Sequence, residues 1–234
     1  MRFALFTAIC LASAAAFGAA RAEEPSFEER VRAYLLENPE VIVEALRILS
    51  ERESRAAMAA RVAAFPELFS DAPRLGEGDS AAPIRVVEFF DYKCVPCKEV
   101  HPGLVSFVAR HPEVRIEMRH LPILTPGSER AARFALATEA TYGASEYRAV
   151  HDRLWEMRGP LNAAGFQRIA DDLGLDFKRI EQAMDSDAIS ARIGFNRDVA
   201  IALEVLGTPA FVTSGSVTFG STDIETLSEV WLSR

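Results

Sequence analysis

The chain has 234 residues, of which 26 are Lys or Arg and 34 are Asp or Glu, so its formal net charge is −8. An acidic balance argues against nucleic acid or an anionic membrane surface as a partner, because both carry negative charge. The three cysteines are too few for a scaffold held together by several disulfides. The length suits one sizeable domain with an appendage.

The first 22 residues are predicted to be a secretory signal peptide that is cleaved after Ala22. A basic residue precedes an apolar stretch, and residues 20–22, Ala-Arg-Ala, match the small-x-small cleavage pattern. A retained membrane anchor is the alternative, but the apolar stretch is shorter than the about 20 residues that a spanning helix needs. Cleavage removes two arginines and one cysteine, which leaves 24 basic against 34 acidic residues and a single pair, Cys94 and Cys97.

Residues 23–64 are predicted to form an N-terminal helical arm. Their apolar residues recur at helical spacing, and Asn38 and Pro39 interrupt the pattern as the expected N-cap and first position of a second helix. This region is apolar on one side but too small to form a core of its own. It is either a helical hairpin packed on the main domain or an oligomerisation arm formed by residues 27–64.

The main domain is predicted to extend from residue 65 to residue 234. Proline and glycine in residues 66–83 indicate a linker or an edge strand. Residues 84–90, IRVVEFF, carry the strongest strand signal in the chain, because they are β-branched and aromatic. Residues 98–111 then predict a helix, and residues 114–124, where apolar and charged side chains alternate, predict a second strand.

The rest of the chain is predicted to be a helical block followed by a hairpin and a closing helix. The predicted helices of the block are 128–143, 145–157, 162–173, 176–185 and 187–206. Residues 207–220 predict two strands around a tight turn, and a helix follows from about Asp223. This order predicts an α/β protein with the thioredoxin fold, an all-helical insertion at about 126–206 and the N-terminal helical arm.

Cys94 and Cys97 lie between the first predicted strand and the first helix of the main domain. A thiolate is the nucleophile of disulfide exchange, and the N-terminus of a helix lowers the pKa of a thiol placed there. Cys94 is therefore expected to be exposed and to attack, and Cys97 to be shielded and to resolve the mixed disulfide. Lys98 is either a source of positive charge near the pair or a solvated helix lysine.

A metal site is the alternative for this pair, because Cys-x-x-Cys is also half of a zinc site. Completing such a site would require histidines, and His101 could share a helix face with Cys97. The other histidines of the chain are expected at the surface.

Two further features point to redox chemistry. Thr208-Pro209 stands at the start of the strand that follows the helical block, where proline is tolerated and where a cis bond would face the cysteines. Glu88 lies within the apolar strand, where a carboxylate is costly unless it has a role or a partner. It is either a buried acid that relays a proton for Cys97 or an edge-strand residue that faces water.

The chain resembles the DsbA-like thioredoxin-fold family of exported thiol:disulfide oxidoreductases. The segments that carry the resemblance are VVEFFDYKCVPC, HLPILTPGSERAARFALA and GTPAFV, and VRAYLLENPEVIVEALRIL resembles the arm of the subgroup that includes ScsC and Com1-type proteins. The resemblance implies that Cys94 is the nucleophile, Cys97 the resolving cysteine, Thr208-Pro209 the cis-proline site and Glu88 the buried acid beneath the dithiol.

The dipeptide between the cysteines departs from the family's strong oxidants. Those proteins carry a histidine there, whereas this chain has Val95 and Pro96. The resemblance therefore implies a less acidic Cys94 and a milder redox couple, closer to that of an isomerase or a reductase.

The predicted function is disulfide exchange with the cysteines of other exported proteins in the periplasm. No organic cofactor is expected, since the Cys94–Cys97 pair itself carries the electrons, and a membrane protein is expected to restore its redox state. The alternatives are an oligomeric isomerase or reductase that is kept reduced by its membrane partner, and a copper-tolerance protein in which Cys94 and Cys97 bind Cu(I).

Overall fold

The computed structural model describes residues 24–70, 75–220 and 223–232 of the chain. The predicted signal peptide, residues 1–22, lies outside the described residues. By its internal contacts the chain divides into two compact units, one that ends at Leu49 and one that begins at Ser50.

The first unit contains helix α1, Phe27–Glu37, and the beginning of helix α2, Glu40–Ala63. The two predicted arm helices are thus present. The prediction that Asn38 begins the second helix is wrong, because Asn38 ends the first one. Its side-chain amide donates to the carbonyl oxygen of Tyr34 at 2.9 Å, and its backbone N–H donates to the same oxygen. Both donors therefore satisfy a carbonyl group that the end of α1 leaves open.

The described part of the second unit contains a five-stranded mixed sheet in the order β1-β3-β2-β4-β5. Its strands are β1 Gly76–Glu77, β2 Ile84–Phe90, β3 Val114–His120, β4 Ala210–Val212 and β5 Val217–Phe219. Only the central pair β2 and β3 is parallel, and the other described pairs are antiparallel. The predicted strand at 84–90 and the predicted hairpin within 207–220 are confirmed, and β1 gives the segment 66–83 its edge strand.

Strand β3 is shorter than the strand predicted at 114–124, and its charged side chains are buried. It ends at His120, and its charged side chains do not face water: Arg115, Glu117 and Arg119 are all buried. Arg115 Nε donates to Glu117 Oε1 at 3.0 Å, and Arg119 donates to two carbonyl groups of helix α3, Glu67–Ser70, at 2.8 and 2.7 Å. Both faces of the sheet are buried at this strand. The hydrogen bonds of its charged side chains, to one another and to the backbone, offset the cost of removing them from water.

Helices cover both faces of the sheet. The remaining helices are α4 Val95–Arg110, α5 Pro126–Tyr142, α6 Ala144–Glu156, α7 Ala163–Asp172, α8 Phe177–Met184, α9 Asp187–Ala202 and α10 Ile224–Leu232. Residues of α4 and α10 pack around Val86 and Phe211 on one face, and residues of α9 and the end of α2 pack around Val87 on the other. The helical insertion has a third buried cluster, in which the rings of Phe134 and Phe166 stack with centroids 4.8 Å apart. The thioredoxin fold with a helical insertion and an N-terminal helical arm is confirmed.

Candidate active site

A four-residue loop, Asp91 to Cys94, connects the end of β2 to the start of α4. The buried carboxylate of Asp91 holds this loop in place, since its Oδ1 accepts the backbone N–H of Lys93 at 2.7 Å. Its Oδ2 accepts the backbone N–H groups of Ile123 and Leu124, at 3.0 and 3.1 Å, from the loop that follows β3. One carboxylate thus joins the loop before Cys94 to the loop after the neighbouring strand.

Cys94 is the N-cap residue of α4. Its Sγ accepts the backbone N–H of Cys97 at 3.2 Å and, in the thiol form, donates to the carbonyl oxygen of Thr208 at 3.1 Å. Pro96, which has no N–H group, lies within the first two positions of the helix, where that loss costs no hydrogen bond. The expectation that Cys94 is exposed is wrong: Cys94 is 3% exposed and Cys97 fully buried, because the Thr208 backbone lies against the Cys94 sulfur.

The two thiols have opposite acidities. The hydrogen bond from the Cys97 side chain lowers the pKa of Cys94 to about 6, and the Cys97 backbone N–H acts in the same direction, although burial opposes both. Burial raises the pKa of Cys97, and its hydrogen bond to Cys94 raises it further. Cys97 therefore remains a thiol that donates to a Cys94 thiolate, which is the arrangement of an attacking and a resolving cysteine.

The Thr208–Pro209 peptide bond is cis and directly precedes β4. The Thr208 carbonyl oxygen lies 3.1 Å from the Cys94 sulfur, and the Pro209 carbonyl accepts the backbone N–H of Gly220 at 3.0 Å. The two sequence features singled out for redox chemistry, which are 114 positions apart, therefore meet at one sulfur atom.

Glu88 lies in the central strand β2 and is fully buried, so the alternative of an edge residue facing water is wrong. Neither carboxylate oxygen has a hydrogen-bond partner within the part of the chain that the structure describes. Burial raises the pKa of Glu88 to about 8, and the negative charges of Cys94 and Glu77 add to this effect. At neutral pH the side chain is thus a protonated acid, and its charge, when present, raises the pKa of Cys97.

Lys98 is not a solvated helix lysine. Its Nζ donates to the carbonyl oxygen of Met157, the C-cap residue of α6, at 2.6 Å. Burial lowers the pKa of Lys98, and the nearby positive charges of Lys93 and Arg158 lower it further. The lysine therefore fastens the first turn of α4 to the end of α6.

The expectation that the other histidines lie at the surface is wrong for two of them. His120 and His151 are buried, and they form an aromatic cluster behind the cysteines with Tyr92, Tyr147 and Trp155. The spacing of Tyr147, His151 and Trp155, four residues apart along α6, was the available signal, since it places all three on one helix face.

His101, the suggested metal ligand, lies against this cluster. Its ring stacks on that of Trp155, with centroids 5.0 Å apart and an interplanar angle of 26°. Among the described residues, no group of three or more His, Cys, Asp or Glu side chains is arranged to hold a metal ion.

Two protein-family models match the chain. The model described as DSBA-like thioredoxin domain matches residues 85–230. The model described as Copper resistance protein ScsC N-terminal domain matches residues 23–56, most of the predicted arm.

Two solved structures share both the fold and part of the sequence. A thioredoxin-like oxidoreductase from Silicibacter pomeroyi DSS-3 is 34% identical, with a TM-score of 0.64 over 70% of this chain and 92% of that one. A linker-deletion mutant of ScsC from Proteus mirabilis is 25% identical, with a TM-score of 0.66 over 93% of this chain and 96% of that one.

A curated relative is a much longer protein. The Na(+)/H(+) antiporter NhaA 3 of Salinispora tropica is 32% identical over 156 residues, which are 67% of this chain and 24% of the antiporter. The chain thus spans about a quarter of the length of the curated relatives that it matches. In the residues described here, no helix has the length and apolar character that crossing a bilayer requires.

The buried acid predicts a specific pH dependence of stability. Between pH 4.5 and about 8, Glu88 is ionised in the unfolded chain but protonated in the folded one, so stability falls as pH rises. The slope for one such group is about −1.4 kcal/mol per pH unit. We expect Glu88→Gln to remove this component, so that its free energy of unfolding relative to wild type rises with pH across the window.

Urea denaturation at several pH values measures both curves. Glu99→Gln, at an exposed position of α4, is the matched control and should leave the wild-type slope unchanged. Parallel curves for Glu88→Gln and wild type would contradict the raised pKa.

Proposed function

This chain belongs to the DsbA-like thioredoxin-domain family, and from that premise we propose that it is an exported thiol:disulfide oxidoreductase. Its substrates are the cysteines of other exported proteins, its compartment is the periplasm, and a membrane protein restores its redox state. The observation that carries the proposal is the asymmetry of the pair: an acidic Cys94 at a helix N-terminus and a shielded Cys97 that donates to it.

The proposed reaction moves two electrons between the dithiol and a substrate disulfide. In the reducing direction the Cys94 thiolate attacks one sulfur of the substrate disulfide, whose S–S bond breaks as the second sulfur leaves as a thiolate. Cys97 loses its proton and attacks Cys94 in the mixed disulfide, which releases the first substrate sulfur and leaves the Cys94–Cys97 disulfide. In the oxidising direction each step runs backwards, and substrate cysteines gain the disulfide.

Glu88 suits a proton-transfer role at Cys97. Because its pKa is raised to about 8, it holds a proton at neutral pH. We assign to it the delivery of that proton to the Cys97 thiolate that departs when a substrate attacks Cys94. In the reverse direction, an ionised Glu88 takes the proton from Cys97.

The surface around Cys94 suits unfolded substrates. Val95 is 63% exposed and Leu206 is 91% exposed, two residues before the Thr208 carbonyl that contacts Cys94. Ile123 and Leu124, whose backbone is held by Asp91, are 44% and 51% exposed. Apolar side chains at the mouth of the site favour segments with exposed apolar residues, which folding proteins still present.

An oligomeric isomerase is the second candidate, and the exposed arm favours it. In the first unit, Ile42, Leu46 and Leu49 lie on one face of α2 and are 46%, 60% and 51% exposed. An apolar helix face of this kind is suited to pairing with the same face of another copy. Cu(I) binding by Cys94 and Cys97 is a further candidate, which the match to a copper-resistance N-terminal domain favours.

The roles of the two cysteines predict opposite results for their serine variants. Cys97→Ser keeps the attacking thiolate but removes the resolving thiol. It should therefore accumulate mixed disulfides with a model substrate protein whose cysteines have been oxidised to disulfides. Cys94→Ser should form none. Non-reducing electrophoresis followed by mass spectrometry identifies the linked cysteine, and linkage through Cys97 in the Cys94→Ser variant would contradict the assignment.

The acidity of Cys94 predicts an intermediate redox potential. A more acidic attacking thiol stabilises the reduced form, and its pKa of about 6 lies between the values of about 7 in thioredoxin and about 3.5 in DsbA. We expect a potential between about −270 mV and about −120 mV, measured against glutathione buffers with thiol trapping. A value at or above about −120 mV would contradict the milder couple that Val95 and Pro96 imply.

The arm predicts self-association of the exported chain. Leu46→Glu places a charge on the apolar face of α2 and should convert the oligomer to a monomer, as measured by sedimentation equilibrium. Glu44→Lys, which changes the charge at a neighbouring exposed position, should leave the oligomer intact. A wild-type protein that is monomeric at all concentrations tested would exclude the oligomeric isomerase.

A further inference from the structure

Helix α6 of the insertion is bonded to both sides of the cysteine pair. Before the pair, the Tyr92 hydroxyl lies 2.7 Å from His151 Nδ1, and Tyr92 is two residues from Cys94. After the pair, Lys98 donates to the carbonyl of Met157 at the end of α6. The loop that positions the attacking sulfur is therefore held from a helix outside the thioredoxin core.

The direction of the hydrogen bond between Tyr92 and His151 follows from a third residue. Trp155 Nε1 lies 2.7 Å from His151 Nε2, and an indole N–H can only donate. His151 Nε2 is therefore the acceptor, and a neutral imidazole then carries its proton on Nδ1. His151 Nδ1 consequently donates to the Tyr92 oxygen.

Two further side chains of the cluster, Tyr147 and His120, adjoin this pair of hydrogen bonds. Because the Tyr92 oxygen accepts from His151, its own proton is available to donate. The Tyr147 hydroxyl lies on the other side, 3.5 Å from the same His151 Nδ1. The Tyr147 hydroxyl lies 3.2 Å from His120 Nε2. His120 Nδ1 is buried and has no hydrogen-bond partner among the described residues. Trp155, His151 and Tyr92 thus form one directed relay, and Tyr147 lies between this relay and His120.

The relay keeps this direction at physiological pH. Burial lowers the pKa of His120 to about 3 and holds the pKa of His151 well below its usual range. Nearby positive charges act in the same direction: Arg192 on His120, and Arg148 with the other histidines on His151. Both imidazoles are therefore neutral, and the relay is a fixed structure with no pH switch in this range.

We propose that Tyr92, His151 and Trp155 are positioning residues for Cys94, acting through this relay. The backbone N–H of Cys97 donates to the Cys94 sulfur at 3.2 Å and favours its thiolate, and small displacements of the loop weaken this contact. Asp91 fixes the start of the loop, and Tyr92 is its only residue bonded to α6 among the contacts of the described chain. The inference deepens the proposed function, since it assigns to the insertion the placement of the attacking thiolate.

Tyr92→Phe tests the proposal with the least change in shape. It keeps the ring in the cluster but removes the hydroxyl, and the loop is then held by packing alone. We expect the pKa of Cys94 to rise by about 1, which corresponds to the contribution of one hydrogen bond. The readout is the pH dependence of the rate at which iodoacetamide alkylates Cys94 in the reduced, full-length mature protein, resolved by mass spectrometry.

Two variants of His151 test the direction of the bond. Asparagine places an amide N–H where the imidazole carries Nδ1, so His151→Asn retains a donor to Tyr92. Glutamine reaches the position of Nε2 instead, so His151→Gln retains a partner for Trp155 but loses the donor to Tyr92. We expect His151→Asn to keep the wild-type pKa of Cys94 and His151→Gln to raise it as Tyr92→Phe does.

Tyr142→Phe is the matched control, because its hydroxyl also accepts a hydrogen bond inside the insertion, from Asp176 N at 3.1 Å, but away from the cysteines. It should leave the pKa of Cys94 unchanged. Variants Tyr92→Phe and His151→Gln that lower thermal stability without shifting the pKa of Cys94 would overturn the proposal, as would equal effects of Asn and Gln at position 151.

Failure of this inference is distinguishable from failure of the proposed function. If wild-type Cys94 titrates as an ordinary thiol, the acidic nucleophile on which the proposed function depends is absent. If wild-type Cys94 is acidic and the Tyr92 and His151 variants do not alter it, only the positioning role is overturned.

Discussion

The chemistry of this protein depends on the hydrogen bonds at one sulfur atom. Cys94 Sγ accepts the backbone N–H of Cys97 and contacts the carbonyl of Thr208. The end of β2 and the starts of α4 and β4 therefore have to meet at this sulfur. The backbone N–H and the thiol of Cys97 both donate to Cys94 and favour its thiolate. The carbonyl of Thr208, by contrast, can accept a hydrogen bond only from the thiol form of Cys94. The parallel β2 and β3 and the antiparallel β4 determine where these ends meet, and the buried clusters on both faces of the sheet hold them there.

Two buried carboxyl groups near this sulfur, Asp91 and Glu88, differ in their hydrogen-bond partners. Asp91 accepts three backbone N–H groups, which replace the water that burial removes, so it serves as a structural tie between two loops. Glu88 has no such partners, and burial therefore favours its protonated form. The same chemical group thus fixes the backbone at one position and stores a proton at another. The difference lies in the backbone donors that each side chain reaches.

Most of the architecture could be predicted from the sequence, because its signals are local. The run of β-branched and aromatic residues at 84–90 determines β2, and the Thr-Pro pair before a strand marks the loop that reaches Cys94. The errors arose where distant segments decide burial. Cys94 reads as an exposed thiol, but the backbone of Thr208, 114 positions away along the chain, lies against its sulfur. His151 reads as a surface histidine, yet Trp155 and Tyr92 satisfy both of its ring nitrogens.

The contacts of Cys94 with its surroundings are mostly made by the main chain. The amide of Cys97 and the carbonyl of Thr208 belong to the backbone, and most substitutions at neighbouring positions leave them in place. Val95 and Leu206, near the sulfur, are exposed, so substituting them removes few packing contacts and should change stability little. Under the proposed function, substitutions at these rim positions would change which substrates bind, while the backbone contacts of the sulfur would remain.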